Sequence, residues 1–312
     1  MATSDQARRV RGTRRWSPRA KREFTAGLIF ALPWIIGFLA FLVYPMVASM
    51  YYSFTRYDLP LTPRWTGLAN YIQLLTDDRL FWKSLANSMY LSVVVIPASV
   101  VFSLLCAILL NLEIRGQAVW RTIYILPNLM PAVAGAILWS WIMNPQLGLV
   151  NNFLKIFGIT RGPLWFNSPT WSKPSLIIMQ LWGVGGMTII YLAALQNVPK
   201  ALYEAAQLDG AGPWKRFTNV TLPMISGVTL FQLITNVIWA LGFFTTAYIL
   251  GGSMGAPQES LLFYGLYLYT LAFEYLRMGY ASAMAWVLFV ITLVITLITL
   301  RTSREYTFYE VI

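Results

Sequence analysis

The chain has 312 residues, of which 57% are hydrophobic and only 11% are charged. Ordinary soluble domains contain roughly 45–50% apolar and about 25% charged residues, so this composition excludes a soluble globular protein. The net charge of +11 is compatible with a nucleic-acid-binding arm, but a basic tail that lies on anionic lipid and sets membrane topology explains it better. We therefore expect contact with membrane lipid and none with nucleic acid.

Six uncharged runs are long enough to cross a membrane, because a transmembrane helix needs about 20 apolar residues. They span 24–55, 84–112, 122–154, 174–199, 217–258 and 278–300. The helices predicted from these runs are 26–48, 86–112, 119–143, 175–196, 225–250 and 281–301. The runs lack the alternation of β-barrel strands. The predicted fold class is therefore all-α, a polytopic membrane protein with six transmembrane helices.

The distribution of Lys and Arg predicts the orientation, since cytoplasmic loops are enriched in both. Residues 1–22 hold eight basic residues, and an orientation with both termini in the cytoplasm places more than half of the 23 Lys and Arg residues on that side. We expect both termini to be cytoplasmic. A cleaved signal peptide is disfavoured because the first apolar stretch is too long and no small-x-small cleavage site follows it.

Turn residues and prolines predict the organisation along the chain. The segment 49–83 carries mixed charges and turn residues, so we expect a folded external loop. Pro127 and Pro131 predict a kink in the third helix. We divide the chain into a basic tail (1–24), a first helix with its external loop (25–83), a transmembrane core (84–302) that includes a cytoplasmic loop at 197–223, and a C-terminal tail (303–312).

The residue inventory excludes several chemistries. Cys106 is the single cysteine and the chain has no histidine. A disulfide within the chain is therefore impossible, and the commonest metal ligand and proton shuttle is missing. The phosphate-binding pattern Gly-x-x-x-x-Gly-Lys-Ser/Thr is absent from the sequence. We predict no catalytic residue, no metal site and no cofactor in this chain.

The cytoplasmic segment 197–223 is far longer than the turn between the second and third helices. Residues from Pro199 to Asp209 favour a helix, with proline in its first turn. Gly210, Gly212 and Pro213 then predict a stop and a second short helix that leaves at an angle. We expect a helix-turn-helix at the membrane surface, suited to docking another protein.

This segment resembles the EAA loop of binding-protein-dependent ABC importer permeases. The family pattern is Glu-Ala-Ala, three residues, Gly, nine residues and Ile-x-Leu-Pro. The matching positions, with Val220 in place of Ile, are Glu204, Ala205, Ala206, Gly210, Leu222 and Pro223. The resemblance implies that the segment couples the chain to an ATPase through Glu204, Ala205, Ala206, Asp209, Gly210 and Pro213.

The rest of the chain resembles the sugar-importing branch of this family, the maltose and glycerol-phosphate permease-like proteins. The supporting residues are Tyr44-Pro45, Ser53-Phe54-Thr55, Gly67-Leu68, Asn70-Tyr71, Arg121 through Pro127, Pro131, Trp139, Pro145 and Gly148. The resemblance implies a type I importer permease in a bacterial or archaeal plasma membrane. Its implied partners are a second homologous permease, two cytoplasmic ATPase subunits that bind ATP and magnesium, and an external solute-binding protein.

The resemblance also implies that the substrate contacts lie on the fourth and fifth helices. The candidate pathway residues are Gln180, Trp182, Gly183 and Gly186 on the fourth helix, and Gln232, Asn236, Trp239 and Phe243, which form one stripe, on the fifth. Amide groups can hydrogen-bond sugar hydroxyls, and aromatic rings suit the C–H faces of a pyranose. Interhelical packing is the alternative role for each residue. No ionisable residue lies deep in a span, which argues against a charged substrate.

Three alternative functions stay open at this point. ABC permeases for amino acids, peptides, phosphate or polyols share the EAA loop, so only the surrounding matches favour a sugar. A stand-alone secondary transporter or channel would leave the segment 197–223 unexplained. A membrane enzyme is disfavoured because histidine and clustered carboxylates at membrane depth are missing.

Overall fold

The computed structural model describes residues 17–303, which are helical apart from one short hairpin and the connecting loops. Within these residues the helices are α1 (Pro18–Phe38), α2 (Tyr44–Ser53), α3 (Ala69–Thr76), α4 (Arg79–Leu110), α5 (Gln117–Ile125), α6 (Ala132–Ile142), α7 (Leu149–Ile156), α8 (Ser172–Trp182), α9 (Gly185–Gln196), α10 (Lys200–Leu208), α11 (Pro213–Arg216), α12 (Leu222–Met224), α13 (Ser226–Leu241), α14 (Thr245–Gly251), α15 (Tyr264–Tyr269) and α16 (Met278–Ser303). Strands β1 (Thr55–Arg56) and β2 (Arg64–Trp65) pair antiparallel. The predicted all-α class is confirmed. The tails predicted at 1–24 and 303–312 lie largely outside the described residues.

Three continuous helical stretches are long and apolar enough to cross a membrane. They are Pro18–Ser53, Arg79–Leu110 and Met278–Ser303. Three helix pairs satisfy the same test only together, because each is bent at a short break: Gln117–Leu129 with Ala132–Ile142 by 99°, Ser172–Trp182 with Gly185–Gln196 by 45°, and Pro213–Met224 with Ser226–Leu241 by 63°. If each bent pair is one span, residues 17–303 contain the six spans that the sequence predicts.

Two of the three bends occur at proline or glycine residues that interrupt helical hydrogen bonding. The 99° bend lies between Pro127 and Pro131, so the predicted kink is confirmed. Proline has no N–H to donate and its ring clashes with the preceding turn. The 45° bend follows Gly183, which caps the end of α8.

The fifth helix, predicted to be continuous over 225–250, is broken between Leu241 and Thr245. The helix ends at Leu241, and after Phe244 (φ −142°, ψ −62°) the chain turns into α14. A Cβ placed on Gly265 of α15 would lie 3.0 Å from the main-chain oxygen of Gly242. The main chain of α15 therefore packs closely against this break, a tertiary contact that the apolar run itself does not reveal.

The structure divides into two compact units between Tyr51 and Tyr52. In the first, Ser17 Oγ accepts a hydrogen bond from the main-chain N–H of Ala20 and so caps α1. None of the α1 residues is buried, and a π-helical stretch continues from Leu39 to Val43. An apolar helix with no buried face is suited to lipid or to another protein chain.

The segment 49–83 is folded, as predicted, and from Tyr52 onward it belongs to the second unit. It contains the β1–β2 hairpin and α3. Asn70 Nδ2 donates to the main-chain oxygens of Ser53 (2.9 Å) and Thr55 (2.8 Å), and the Tyr71 hydroxyl donates to Ser53 Oγ (2.8 Å). These bonds fix α3 against the hairpin.

Helix α4 is the central element of the second unit, where it packs against α8, α9, α13 and α15. Small polar side chains allow this close packing: Ser84, Ser88, Ser92, Ser99 and Ser103 are all buried. Ser84, Ser92 and Ser103 donate to carbonyls of their own helix, so their burial leaves no donor unpaired.

Candidate functional site

A cavity of about 580 Å³ lies where three helix breaks meet beside α4. Its lining includes the breaks between α5 and α6, between α8 and α9, and between α13 and α14: Val95, Ser99, Pro127, Asn128, Met130, Pro131, Ala132, Gly135, Met179, Gln180, Trp182, Gly183, Val184, Met187, Asn236, Trp239, Gly242, Phe243, Phe244, Thr245 and Thr246. Irregular main chain at membrane depth is tolerated where it lines a cavity, because polar groups there are solvated. Ligand sites commonly have this volume.

Six of the eight predicted pathway residues line this cavity. They are Gln180, Trp182, Gly183, Asn236, Trp239 and Phe243. The rings of Trp239 and Phe243 meet edge to face with centroids 5.1 Å apart. Trp182 meets Trp139 in the same way at 5.7 Å. The cavity wall therefore holds aromatic rings beside amide groups from two helices.

The other two predicted pathway residues do not line the cavity. Gln232 is buried, and its Nε2 donates to the main-chain oxygen of Met187 at 3.3 Å. This bond joins α13 to α9. A Cβ on Gly186 would lie 3.2 Å from Asn128 Nδ2, so glycine here lets the loop before α6 approach α9 closely. Both residues therefore have a packing role.

Two amides differ in how their hydrogen-bonding groups are occupied. Asn236 Nδ2 donates to the main-chain oxygen of Gln232, one turn earlier, at 2.7 Å. Gln180 Nε2 is buried and has no hydrogen-bond partner among the described residues. A buried donor without an acceptor costs about 1–3 kcal/mol.

The sequence reasoning missed several residues of the cavity. Asn128 lines it from the break between α5 and α6, as do Ser99 from α4 and Thr245 and Thr246 from α14. The position of Asn128 next to Pro127 was an available signal, because a polar residue at a broken membrane helix often marks a site. Thr245 and Thr246 were hidden by the missed break after Leu241.

Electrostatics limit what the cavity can hold. None of the described residues that line it is charged. Among residues 17–303 there is also no group of three or more His, Cys, Asp or Glu side chains that could hold a metal ion. This wall is suited to a neutral ligand that offers hydroxyl groups and apolar faces.

A second candidate site is the segment 197–223, whose predicted helix-turn-helix is confirmed. Helix α10 begins after Pro199 and ends before Asp209. Gly210 adopts a left-handed conformation (φ +74°), and α11 begins at Pro213. Glycine populates this conformation readily, whereas a Cβ disfavours it. The predicted coupling residues are thus brought together on α10 and the turn that follows it.

Helix α10 exposes most of its surface but is fixed to the bundle by Tyr203. The Tyr203 hydroxyl and Thr221 Oγ1 are 2.9 Å apart, and the Tyr203 ring packs against the apolar cluster that contains Tyr191, Leu195 and Ile225. Thr221 is buried and directly precedes α12, which leads into α13. A continuous set of contacts therefore joins α10 to the helix that carries Asn236 and Trp239.

Comparison with known proteins gives consistent matches along the chain. Residues 99–304 match the family model described as binding-protein-dependent transport system inner membrane component. The probable ABC transporter permease protein YesP of Bacillus subtilis (strain 168) is 40% identical over 291 residues, covering 93% of this chain and 94% of the relative. The lactose transport system permease protein LacF of Rhizobium radiobacter is 34% identical over 284 residues, covering 89% and 94%.

A solved structure is also similar. It is the crystal structure of a bacterial alginate ABC transporter in complex with a periplasmic protein that holds an alginate pentasaccharide. One chain of it superposes with a TM-score of 0.76 at 27% identity, covering 93% of this chain and 97% of that chain.

Proposed function

Because the chain belongs to the family of binding-protein-dependent transport system inner membrane components, we propose that it forms half of a translocation pathway for a neutral sugar or oligosaccharide. The chain is a transport subunit of an ABC importer and not an enzyme. The cavity bounded by the three helix breaks is the part of the pathway that this chain contributes. The proposal rests on one observation: the wall of this cavity has aromatic rings and amides and, among its described residues, no charged side chain.

Two comparisons support a saccharide. One relative is named as a lactose permease protein, and one structural neighbour belongs to a transporter that imports alginate, an acidic polysaccharide. The wall of this cavity has no charged side chain among its described residues, so it offers no cation to an acidic sugar. A neutral saccharide fits this wall without the cost of burying an unpaired charge.

The named side chains have complementary roles toward such a ligand. Trp182 and Trp239 offer ring faces to the C–H face of a pyranose. Gln180 lines the cavity and adds an amide that can donate to a hydroxyl or ring oxygen. Asn128, at the break between α5 and α6, and Asn236, on α13, add further amides to the cavity wall. Each such hydrogen bond contributes about 1 kcal/mol net.

Energy reaches this cavity through the segment 197–223. The chain has no phosphate-binding loop, so ATP and its magnesium ion are bound by partner ATPase subunits. We assign docking of those subunits to α10 and its turn, with Glu204, Ala205 and Ala206 at the contact, followed by Asp209, Gly210 and Pro213. Closure of the ATPase dimer moves α10, and Tyr203 passes the movement to α13.

The proposed assembly contains a second homologous permease, two ATPase subunits and an external solute-binding protein. The proposed orientation in the bacterial or archaeal plasma membrane places α10 and both termini in the cytoplasm, following the distribution of Lys and Arg. A reporter fused after Ser303 would then be cytoplasmic, and one inserted at Asn152 would be external. Both reporters on one side would contradict this orientation.

Sugar uptake by the assembled complex tests the pathway. Asn236→Leu and Trp239→Ala are each expected to lower kcat/KM for uptake about tenfold, the effect of losing about 1.4 kcal/mol of binding. Ile238→Ala is the matched control, because Ile238 is an exposed neighbour on α13 that does not line the cavity. Normal assembly with unchanged uptake in both cavity variants would assign Asn236 and Trp239 to packing.

A further inference from the structure

Two lysines and a tyrosine form a basic cluster at the end of the bundle opposite α10. Lys173, in the first turn of α8, places its Nζ 5.1 Å from the ring centroid of Tyr90. Lys83 lies two turns before Tyr90 on α4, and the spacing of seven residues puts both on one face of that helix. We call these three residues, Lys83, Lys173 and Tyr90, the outer lysine cluster.

The positive charge of this cluster is not neutralised within the described residues. Neither Lys83 nor Lys173 forms an ion pair among residues 17–303. The two like charges both flank Tyr90, Lys83 from the same face of α4 and Lys173 from above the ring. The neighbouring Arg79, in contrast, is paired with Glu259 at 2.7 Å. An anion beside the two lysines would relieve their repulsion.

The same face of α4 continues as an apolar stripe. At spacings of three and four residues beyond Tyr90 it contains Val93, Pro97, Val101 and Leu105, and all four are exposed. Val93 is 67% exposed and Val101 is 56% exposed. A long exposed apolar stripe on a membrane-spanning helix is suited to acyl chains. The continuity of this stripe with the two lysines favours an anionic lipid as its occupant.

The length of α4 places the cluster at the level of the lipid headgroups. About 20 helical residues span the hydrocarbon core. With Leu110 at one boundary of the core, the other boundary lies next to Tyr90. Tyrosine is enriched at this boundary. Lys83 lies about 10 Å farther along the helix axis, at 1.5 Å per residue. The headgroup layer is about 5–7 Å thick on each side, so a phosphate there lies between the two lysines.

We propose that the outer lysine cluster binds the phosphate of an anionic phospholipid, with the acyl chains along the Val93–Leu105 stripe. Lys83 and Lys173 donate to the phosphate oxygens from two different helices. The bound lipid would then connect α4 with α8, the helix that contributes Gln180 and Trp182 to the cavity. This inference requires only that α4 spans a bilayer, and it is independent of the transported substrate.

Native mass spectrometry of the purified complex tests the site. Phosphatidylglycerol is titrated against phosphatidylcholine with the same acyl chains, and bound lipids are counted for wild type, Lys83→Gln, Lys173→Gln and the double variant. Each lysine at the membrane surface contributes about 1 kcal/mol, so each single variant should bind phosphatidylglycerol about fivefold more weakly and the double variant about 30-fold. Lys155→Gln is the matched control, since Lys155 is exposed on α7 and its Nζ donates to Asn152.

Three outcomes decide the proposal. Loss of phosphatidylglycerol in the double variant, with retention in Lys155→Gln and in Lys83→Arg/Lys173→Arg, supports it. An unchanged affinity in the double variant overturns it. Weaker binding of the solute-binding protein without a change in lipid binding also overturns it, because the cluster would then be a protein contact.

Discussion

Asp78 and Tyr280 are 202 residues apart in the chain, yet the Tyr280 hydroxyl donates to Asp78 Oδ2 at 2.7 Å. Tyr267 donates to the same oxygen at 2.8 Å, while Oδ1 accepts from the main-chain N–H groups of Leu80 and Phe81. One carboxylate thus caps α4 and holds α15 and α16 beside it. Burial, followed by the hydrogen bond to Asp78, raises the pKa of Tyr267, so its phenol remains a donor well into the alkaline range.

Replacing Asp78 should therefore destabilise this end of the bundle. Asp78→Ala removes the helix cap and the acceptor of both phenols, and we expect a loss of about 2–4 kcal/mol. Asp78→Asn keeps one oxygen for the cap but loses the charge, so its effect should be smaller. Thermal unfolding of the purified protein measures both. The neighbouring Asp77→Asn is the control, and an equal Tm in Asp78→Ala and Asp77→Asn would contradict this role.

Asn87 and Arg79 both contact the loop that contains Glu259, but we expect them to contribute differently to the thermal stability of the protein. Arg79 makes a two-pronged ion pair with Glu259, yet its side chain is 73% exposed, so water screens the pair and it should contribute little to stability. Asn87 is buried, and its Nδ2 donates to the main-chain oxygens of Glu259 (2.9 Å) and Leu262 (2.8 Å). Asn87→Asp removes these donors and leaves an unpaired charge.

The measurement is the Tm of each of the two variants. Asn87→Asp should lower the Tm by several degrees, whereas Arg79→Gln should change it little, and less still at high salt because salt screens exposed pairs. A larger effect from Arg79→Gln would mean that the ion pair, and not the buried amide, holds the loop.

Local patterns predicted the parts of the fold that local chemistry determines. Pro127 and Pro131 predicted the sharpest bend, and Pro199 with Gly210 predicted the limits of α10, because these residues restrict or permit main-chain angles by themselves. Six cavity residues were predicted because the resemblance places substrate contacts on the fourth and fifth helices, where three of the six share one stripe. Spacing alone did not separate them from Gln232, which belongs to the same stripe but does not line the cavity.

The missed features depend on contacts between distant segments. Residues 241–245 are apolar or neutral, so their sequence does not indicate the break before α14. The break is recognised from the packing of α15 against Gly242. The role of Gln232 depends on the main-chain oxygen of Met187, 45 residues away. The partners of Asp78 lie on α15 and α16. Pairings of this kind can be recognised only in the three-dimensional structure.

The joint between α10 and α13 should depend on the hydrogen bond of Tyr203. Tyr203→Phe keeps the ring in its apolar cluster but removes the hydroxyl that meets Thr221, and Thr221→Val removes the other partner. We expect each to lower the number of sugars imported per ATP hydrolysed by about two- to tenfold. The double variant should be no worse than either single variant, because both break the same bond.

A matched control for this joint is available at the other end of the bundle. Tyr71→Phe removes a similar hydroxyl contact, to Ser53, at 2.8 Å. Tyr71→Phe should leave the number of sugars imported per ATP hydrolysed unchanged. An equal fall in Tyr71→Phe and Tyr203→Phe would indicate a general loss of stability and not a broken joint.

The contribution of the segment 197–223 to coupling is tested most directly by two matched glycine variants. Neither Gly210 nor Gly212 has a heavy atom within 4 Å of where a Cβ would lie, but Gly210 has φ +74° and Gly212 has φ −68°. Valine at Gly210 therefore strains the turn by about 1–2 kcal/mol, whereas valine at Gly212 is tolerated. The variants Gly210→Val and Gly212→Val thus differ in turn geometry and not in added volume.

The measurement is ATP hydrolysis by the complete complex in liposomes, with and without sugar-loaded binding protein. Glu204→Lys is measured in parallel, since it reverses a charge at the proposed contact. We expect stimulation by the loaded binding protein to fall about tenfold or more in Gly210→Val and Glu204→Lys, and to remain near wild type in Gly212→Val. Wild-type stimulation in both Gly210→Val and Glu204→Lys would contradict the assignment of α10 and its turn as the coupling element.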